Sequence, residues 1–83
     1  MNKQARKRLF DTIQACRAIE QFTSNTLFDG YLANAMMRSA VERQSEIVGE
    51  SLNLALQADP SLDEQIPEAH RIIGMRNRII HGM

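Results

Sequence analysis

Cysteine is almost absent from these 83 residues: Cys16 stands alone. No internal disulfide can form, and no Cys/His cluster has the spacing of a structural metal site. No apolar run approaches the roughly 20 residues that a membrane span needs. A chain of this length buries a modest fraction of its surface, so without staples its stability asks for another support, and oligomerisation is the expected one. The first ten residues are polar and carry Lys3, Arg6, Lys7 and Arg8, which is not the pattern of a secretion signal. With a single thiol, this predicts a protein of the reducing cytoplasm. There Cys16 reads as a small buried apolar residue.

An excess of charge is also missing, since ten basic and ten acidic side chains cancel. A neutral chain is not a general nucleic-acid coat. The charges are nevertheless uneven. Residues 1–10 hold four cations and no acid, residues 71–83 hold Arg71, Arg76 and Arg78 and no acid, and all ten acids lie between. The N-terminal cluster reads as a solvated helix start. Either end can still present a local basic patch.

Strand-type alternation, internal repeats and low-complexity stretches are lacking too. Helical periodicity, by contrast, is plain. A first helix is predicted from about Lys3 to Phe22, with Ala5, Leu9, Thr12, Ile13, Cys16 and Ile19 in one arc. Phe10 lies off that stripe and suggests an extra contact between subunits. Thr23-Ser24-Asn25-Thr26 breaks the helix and offers caps for the next helical segment. A short turn is expected over Leu27–Leu32 and a long helix over about Leu32–Gln57. Met36, Ala40, Val41, Ile47, Val48, Leu52, Leu54 and Ala55 make its apolar arc, with Glu42, Arg43, Glu46 and Gly49 facing away. Gln44 and Ser51 fall inside the arc, either as satisfied core hydrogen-bonders or as the lining of a cleft. Pro60 ends that helix. Ser61-Leu62-Asp63-Glu64 has the look of a capping box, and Pro67 suits the first position of a last helix running to about Ile80. The class is all-α, a small antiparallel helical bundle forming one domain.

The last helix breaks the rule that charge stays outside. With Ile72 at 0°, Ile79, Ala69, Ile80 and Ile73 lie between about 340° and 100°, and Arg76 lies among them at about 40°. A guanidinium cannot shed its proton and is costly to bury alone. It must meet an acid such as Glu50, a wet cleft or a partner. A second stripe holds His70, Gly74, Asn77 and, if the helix persists, His81. Asn77 and His81 are four apart, so the amide can orient the imidazole for proton transfer. A histidine there can equally serve as a helix cap. His70 and His81 are roughly 16 Å apart along the axis, too far to share a metal ion.

Ile73-Gly74-Met75-Arg76-Asn77-Arg78-Ile79-Ile80-His81-Gly82 resembles the signature of HepT-like proteins in the HEPN superfamily. Ala40-Val41-Glu42-Arg43 and Glu46-Ile47-Val48-Gly49-Glu50-Ser51 are similar to two further segments of that family. The resemblance implies a helical bundle that forms a homodimer, with the Arg/His motifs of both subunits facing one cleft. It implies metal-independent RNA cleavage without a cofactor, by a toxin whose antitoxin is a minimal nucleotidyltransferase. Carried over, Arg76, Asn77 and His81 are the catalytic set, and Arg71 and Arg78 are candidates for weaker RNA contacts. Arg and His five apart on a straight helix diverge by about 140°. They converge if the helix ends or bends near His81, or if two subunits contribute. Met83 stands where the family usually has the Tyr that receives AMP from the partner, and relatives continue into a further helix, so the domain is expected to be a shortened one. The rival readings are a non-catalytic subunit that docks a nucleotidyltransferase and helps present its substrate, and a degenerate structural helical domain.

Overall fold

The computed structural model describes residues 1–80, and their side chains as far as Gly74. Five helices succeed one another there: α1 (Lys3–Thr23), α2 (Phe28–Ala33), α3 (Ala35–Ala58), α4 (Leu62–Gln65) and α5 (Ala69–Ile80). No strand occurs among the described residues, in agreement with the predicted all-α class.

The long helices begin where side-chain oxygens can replace missing backbone acceptors. Asn2 precedes α1 in extended backbone, and its Oδ1 accepts the Ala5 N–H at 2.8 Å. The same amide donates through Nδ2 to the Ala58 carbonyl at 2.7 Å, an acceptor in the last turn of α3. Asn34 does the capping for α3, accepting the Met37 N–H at 2.9 Å. Between α1 and α2, Asn25 takes the left-handed conformation with φ 63°, which asparagine tolerates better than most residues.

Asn2 meets Ala58, Thr12 meets Ser51, and Phe22 shares a hollow with Met36 and Ala40, so α1 and α3 run antiparallel. α3 is the central element, with α1 along one flank and α5 along another. The core is built largely from small side chains: Ala5, Ala15, Ala55 and Ala69, with Val48, Leu52 and Leu62. Leu62 of α4, 1 % exposed, clusters with Ala5 and Ala55, backed by Leu9, Leu56, Ala58 and Ile66. Among the described residues one polar group joins this core. The Ser51 hydroxyl lies 2.6 Å from that of Thr12 and 2.6 Å from the Ile47 carbonyl, while Thr12 lies 3.0 Å from the Arg8 carbonyl. Two hydroxyl protons serve these contacts, one crossing between helices and one returning to its own helix. Ser51 is thus a satisfied core hydrogen-bonder.

Four local expectations are corrected. Cys16 is exposed and Ile13 is 50 % exposed. The face of α1 that meets α3 holds Ala5, Thr12 and Ala15, whose small size permits a close approach, with Leu9 packed against the core beside Ala5. Gly49, expected to face outward, is buried, because α3 is covered by two helices and its buried arc is wider than one stripe. The capping box at Ser61 does not form. Ser61 is already turned into helical backbone, and its N–H and hydroxyl both donate to Asp59 Oδ1, at 3.1 and 2.6 Å. α5 starts two residues beyond Pro67, at Ala69.

Candidate active site

α5 is fixed at its start from three directions. Ala69 is fully buried, the Ile72 N–H closes the first turn on the Glu68 carbonyl, and His70 Nε2 lies 2.9 Å from Asp63 Oδ1. That last contact links the first turn of α5 to α4. It also accounts for His70 by a structural tie that spacing alone did not reveal. Arg71 is exposed, and Ile72, Ile73 and Gly74 are half-buried. A Cβ built on Gly74 would meet nothing within 4 Å, so open space borders this part of the second stripe.

Positions 76, 77 and 78 are carried on the last turns of α5. The side chains of Arg76, Asn77 and Arg78 lie outside the described residues, as do His81 and Met83 as a whole. On α3, Gly49 and Leu52 are both buried. At about 100° per residue they are turned about 160° and 100° from Ser51, beyond the α1 contact.

Glu50, the acid suggested for Arg76, turns about 100° from Ser51 in the opposite sense. It opens onto a groove of about 390 Å³ between α1 and α3, together with Arg8, Asp11, Gln14 and Gln44. Gln44 therefore follows the cleft-lining alternative, while Ser51 serves both the core and the groove. Around the groove, Lys7 holds Asp11 at 2.6 Å and Arg8 approaches it at 3.9 Å. Among the described residues no group of histidine, cysteine and carboxylate side chains is arranged to hold a metal ion.

Residues 12–82 match the family described as HepT-like ribonuclease. This chain is a member of the HepT-like ribonuclease family. No solved structure matches it. The HepT-like match takes in the whole of α2 to α5 and the Arg76-to-His81 motif, and leaves the first turns of α1 outside. The motif thus lies inside the stretch matched to that family. No described helix of this HepT-like chain is long and apolar enough to cross a membrane.

Proposed function

We propose that this chain is a metal-independent endoribonuclease toxin, working as a homodimer and restrained by a minimal nucleotidyltransferase acting as antitoxin in the cytoplasm. The observation that carries this reading is the Arg76-Asn77-x-x-x-His81 spacing inside the stretch that matches HepT-like ribonucleases.

The chemistry starts from a nucleophile that RNA brings with it. Its 2′-hydroxyl attacks the adjacent phosphorus, the 5′-oxygen of the next nucleotide leaves, and a 2′,3′-cyclic phosphate remains. One proton must come off the attacking hydroxyl and one must reach the leaving oxygen, while negative charge builds on the non-bridging oxygens. Histidine exchanges protons near neutral pH, which assigns that work to His81. Arg76 offers a planar, permanently charged fork that fits two phosphate oxygens. Asn77 orients the imidazole. Arg71 and Arg78 add positive charge along the same helix for the flanking phosphates. Divergence of Arg and His on one straight helix is the physical reason for invoking two subunits at a shared cleft. Met83 has no hydroxyl to accept AMP, so that route of restraint is closed at this position.

The test is RNA cleavage by the purified chain in EDTA, with the product ends analysed and His81→Ala assayed alongside. The expected result is cyclic phosphate ends from the wild type and none from the variant. Equal cutting by a folded His81→Ala protein refutes the assignment.

A further inference from the structure

The side of α1 that faces away from α3 has a composition that the catalytic motif does not use. Taking Phe10 as the reference, Lys3, Arg6, Lys7, Ile13 and Arg17 all fall within about 60° of it at 100° per residue, whereas the buried Ala5 and Ala15 lie about 140° away. Every one of these outward residues is exposed, Phe10 at 57 % and Ile13 at 50 %. Lys7 is held by Asp11 at the edge of the arc. Among the described residues no carboxylate is within ion-pair distance of Lys3, Arg6 or Arg17. Glu20, the other acid on α1, lies about one turn beyond Arg17 and to the side. An aromatic ring thus stands in the middle of four cations spread over about 21 Å of helix. Much of this face belongs to residues 1–11, outside the stretch matched to the family.

We infer that the outward face of α1 is a second contact surface for single-stranded RNA, separate from the motif on α5. This rests on the ribonuclease reading above. Cations without carboxylate partners attract a polyanion, and an exposed ring can stack on an unpaired base whatever its sequence. Arg6 and Arg17 stand about one and two turns to either side of Phe10, where they reach the phosphates flanking the stacked base. Two apolar side chains are too little to seat a helix in a membrane surface, which takes a broad apolar face. The contact between subunits that the sequence suggested at Phe10 is disfavoured on this face, because a two-fold pairing would set its cations against those of a second copy. The strand held here runs over a side of the bundle that turns its back on α3, while α5 packs on α3 itself. The surface therefore adds affinity for long RNA without touching the reacting groups.

The experiment measures binding of a fluorescein-labelled oligouridylate of about a dozen nucleotides, a length within the span of known single-strand sites. Fluorescence anisotropy is recorded across a salt series with the His81→Ala protein, which leaves the probe intact. Phe10→Ala should weaken binding by at least about fivefold, the low end of base–aromatic stacking. Phe10→Tyr should restore it and Phe10→Leu should not. The double variant Arg6→Ala/Arg17→Ala should lower the slope of log K against log salt by about 1.4, or about 0.7 per lost phosphate contact. Circular dichroism checks that these exposed replacements leave the helices in place. Unchanged affinity in Phe10→Ala overturns the inference, as does equal competition by duplex RNA, or Phe10-dependent binding to phosphatidylserine vesicles with RNA binding unaffected. Because binding is read on a protein that cannot cut, failure here is distinct from failure of the cleavage assay.

Discussion

Replacing Leu62 by alanine tests whether this bundle depends on one side chain from its shortest helix. Leu62 is 1 % exposed and is the largest fully buried side chain among the described residues. Its closest company in the core is Ala5 of α1 and Ala55 of α3, and alanines cannot extend to fill a space. The substitution removes three carbons, worth about 2.4 kcal/mol at about 0.8 kcal/mol each. The unfilled cavity carries the expected loss to about 3 kcal/mol, within the usual range for buried leucines. A chain of this length has roughly 4–12 kcal/mol of stability, so the loss is a large share of the whole. Urea unfolding followed by circular dichroism should show the midpoint falling by about 2–3 M, given a slope near the low end for small proteins. Leu27→Ala is the control, because Leu27 is 84 % exposed and its loss should stay within about 0.5 kcal/mol. Both are measured at two protein concentrations, so that any self-association is seen. A loss below about 1 kcal/mol for Leu62→Ala would show that α1 and α3 close over the gap and that the reasoning is wrong.

Two further predictions use polar contacts. Thr12→Val and Ser51→Ala each remove the same hydrogen bond between helices, and the hydroxyl that remains can turn to its own helix carbonyl. A double-mutant cycle should give a coupling of about 1 kcal/mol, and a coupling within experimental error of zero refutes the bond's role. Asp59 is held below the usual 3.8, chiefly by the hydrogen bond from the Ser61 side chain. A lowered folded-state pKa means its contribution is present above the unfolded value and is lost as pH falls through the folded one. An NMR titration should place the Asp59 midpoint below 3.8, with Ser61→Ala moving it upward, and no movement counts against the cause given.

The helices themselves were legible from their periodicity and from Pro60, which cannot continue α3. The caps Asn2 and Asn34 were not singled out in the sequence, and α3 begins at Ala35 rather than near Leu32 because Asn34 caps it. The roll of α1 about its own axis was legible in part. Of the predicted arc, Ala5, Leu9 and Thr12 meet the core and α3, while Ile13 and Cys16 are exposed; Ala15 was missed because a small residue carries little hydrophobic signal. Gly49 was misplaced for the same reason, since a residue with no side chain leaves no mark on a hydrophobic pattern. At the motif the situation was reversed. Arg76 stood out because it conflicts with its helix face, and the match to HepT-like ribonucleases covers that conflict. The tie between His70 and Asp63 was hidden because it depends on how α4 folds back, which no spacing encodes.

Asn2 is an exposed residue near the start of the chain, and exposure ordinarily implies freedom to vary. Its amide, however, performs two opposite tasks at once, offering an oxygen to the first turn of α1 and a nitrogen to the last turn of α3. Aspartate would keep the first and lose the second, serine could reach only one, and glutamine would carry both groups too far from the backbone. Position 2 is therefore far less permissive than its surface location suggests. Changes introduced there for convenience, such as an appended purification sequence that displaces the side chain, would loosen both long helices at the end of the bundle where α4 is seated.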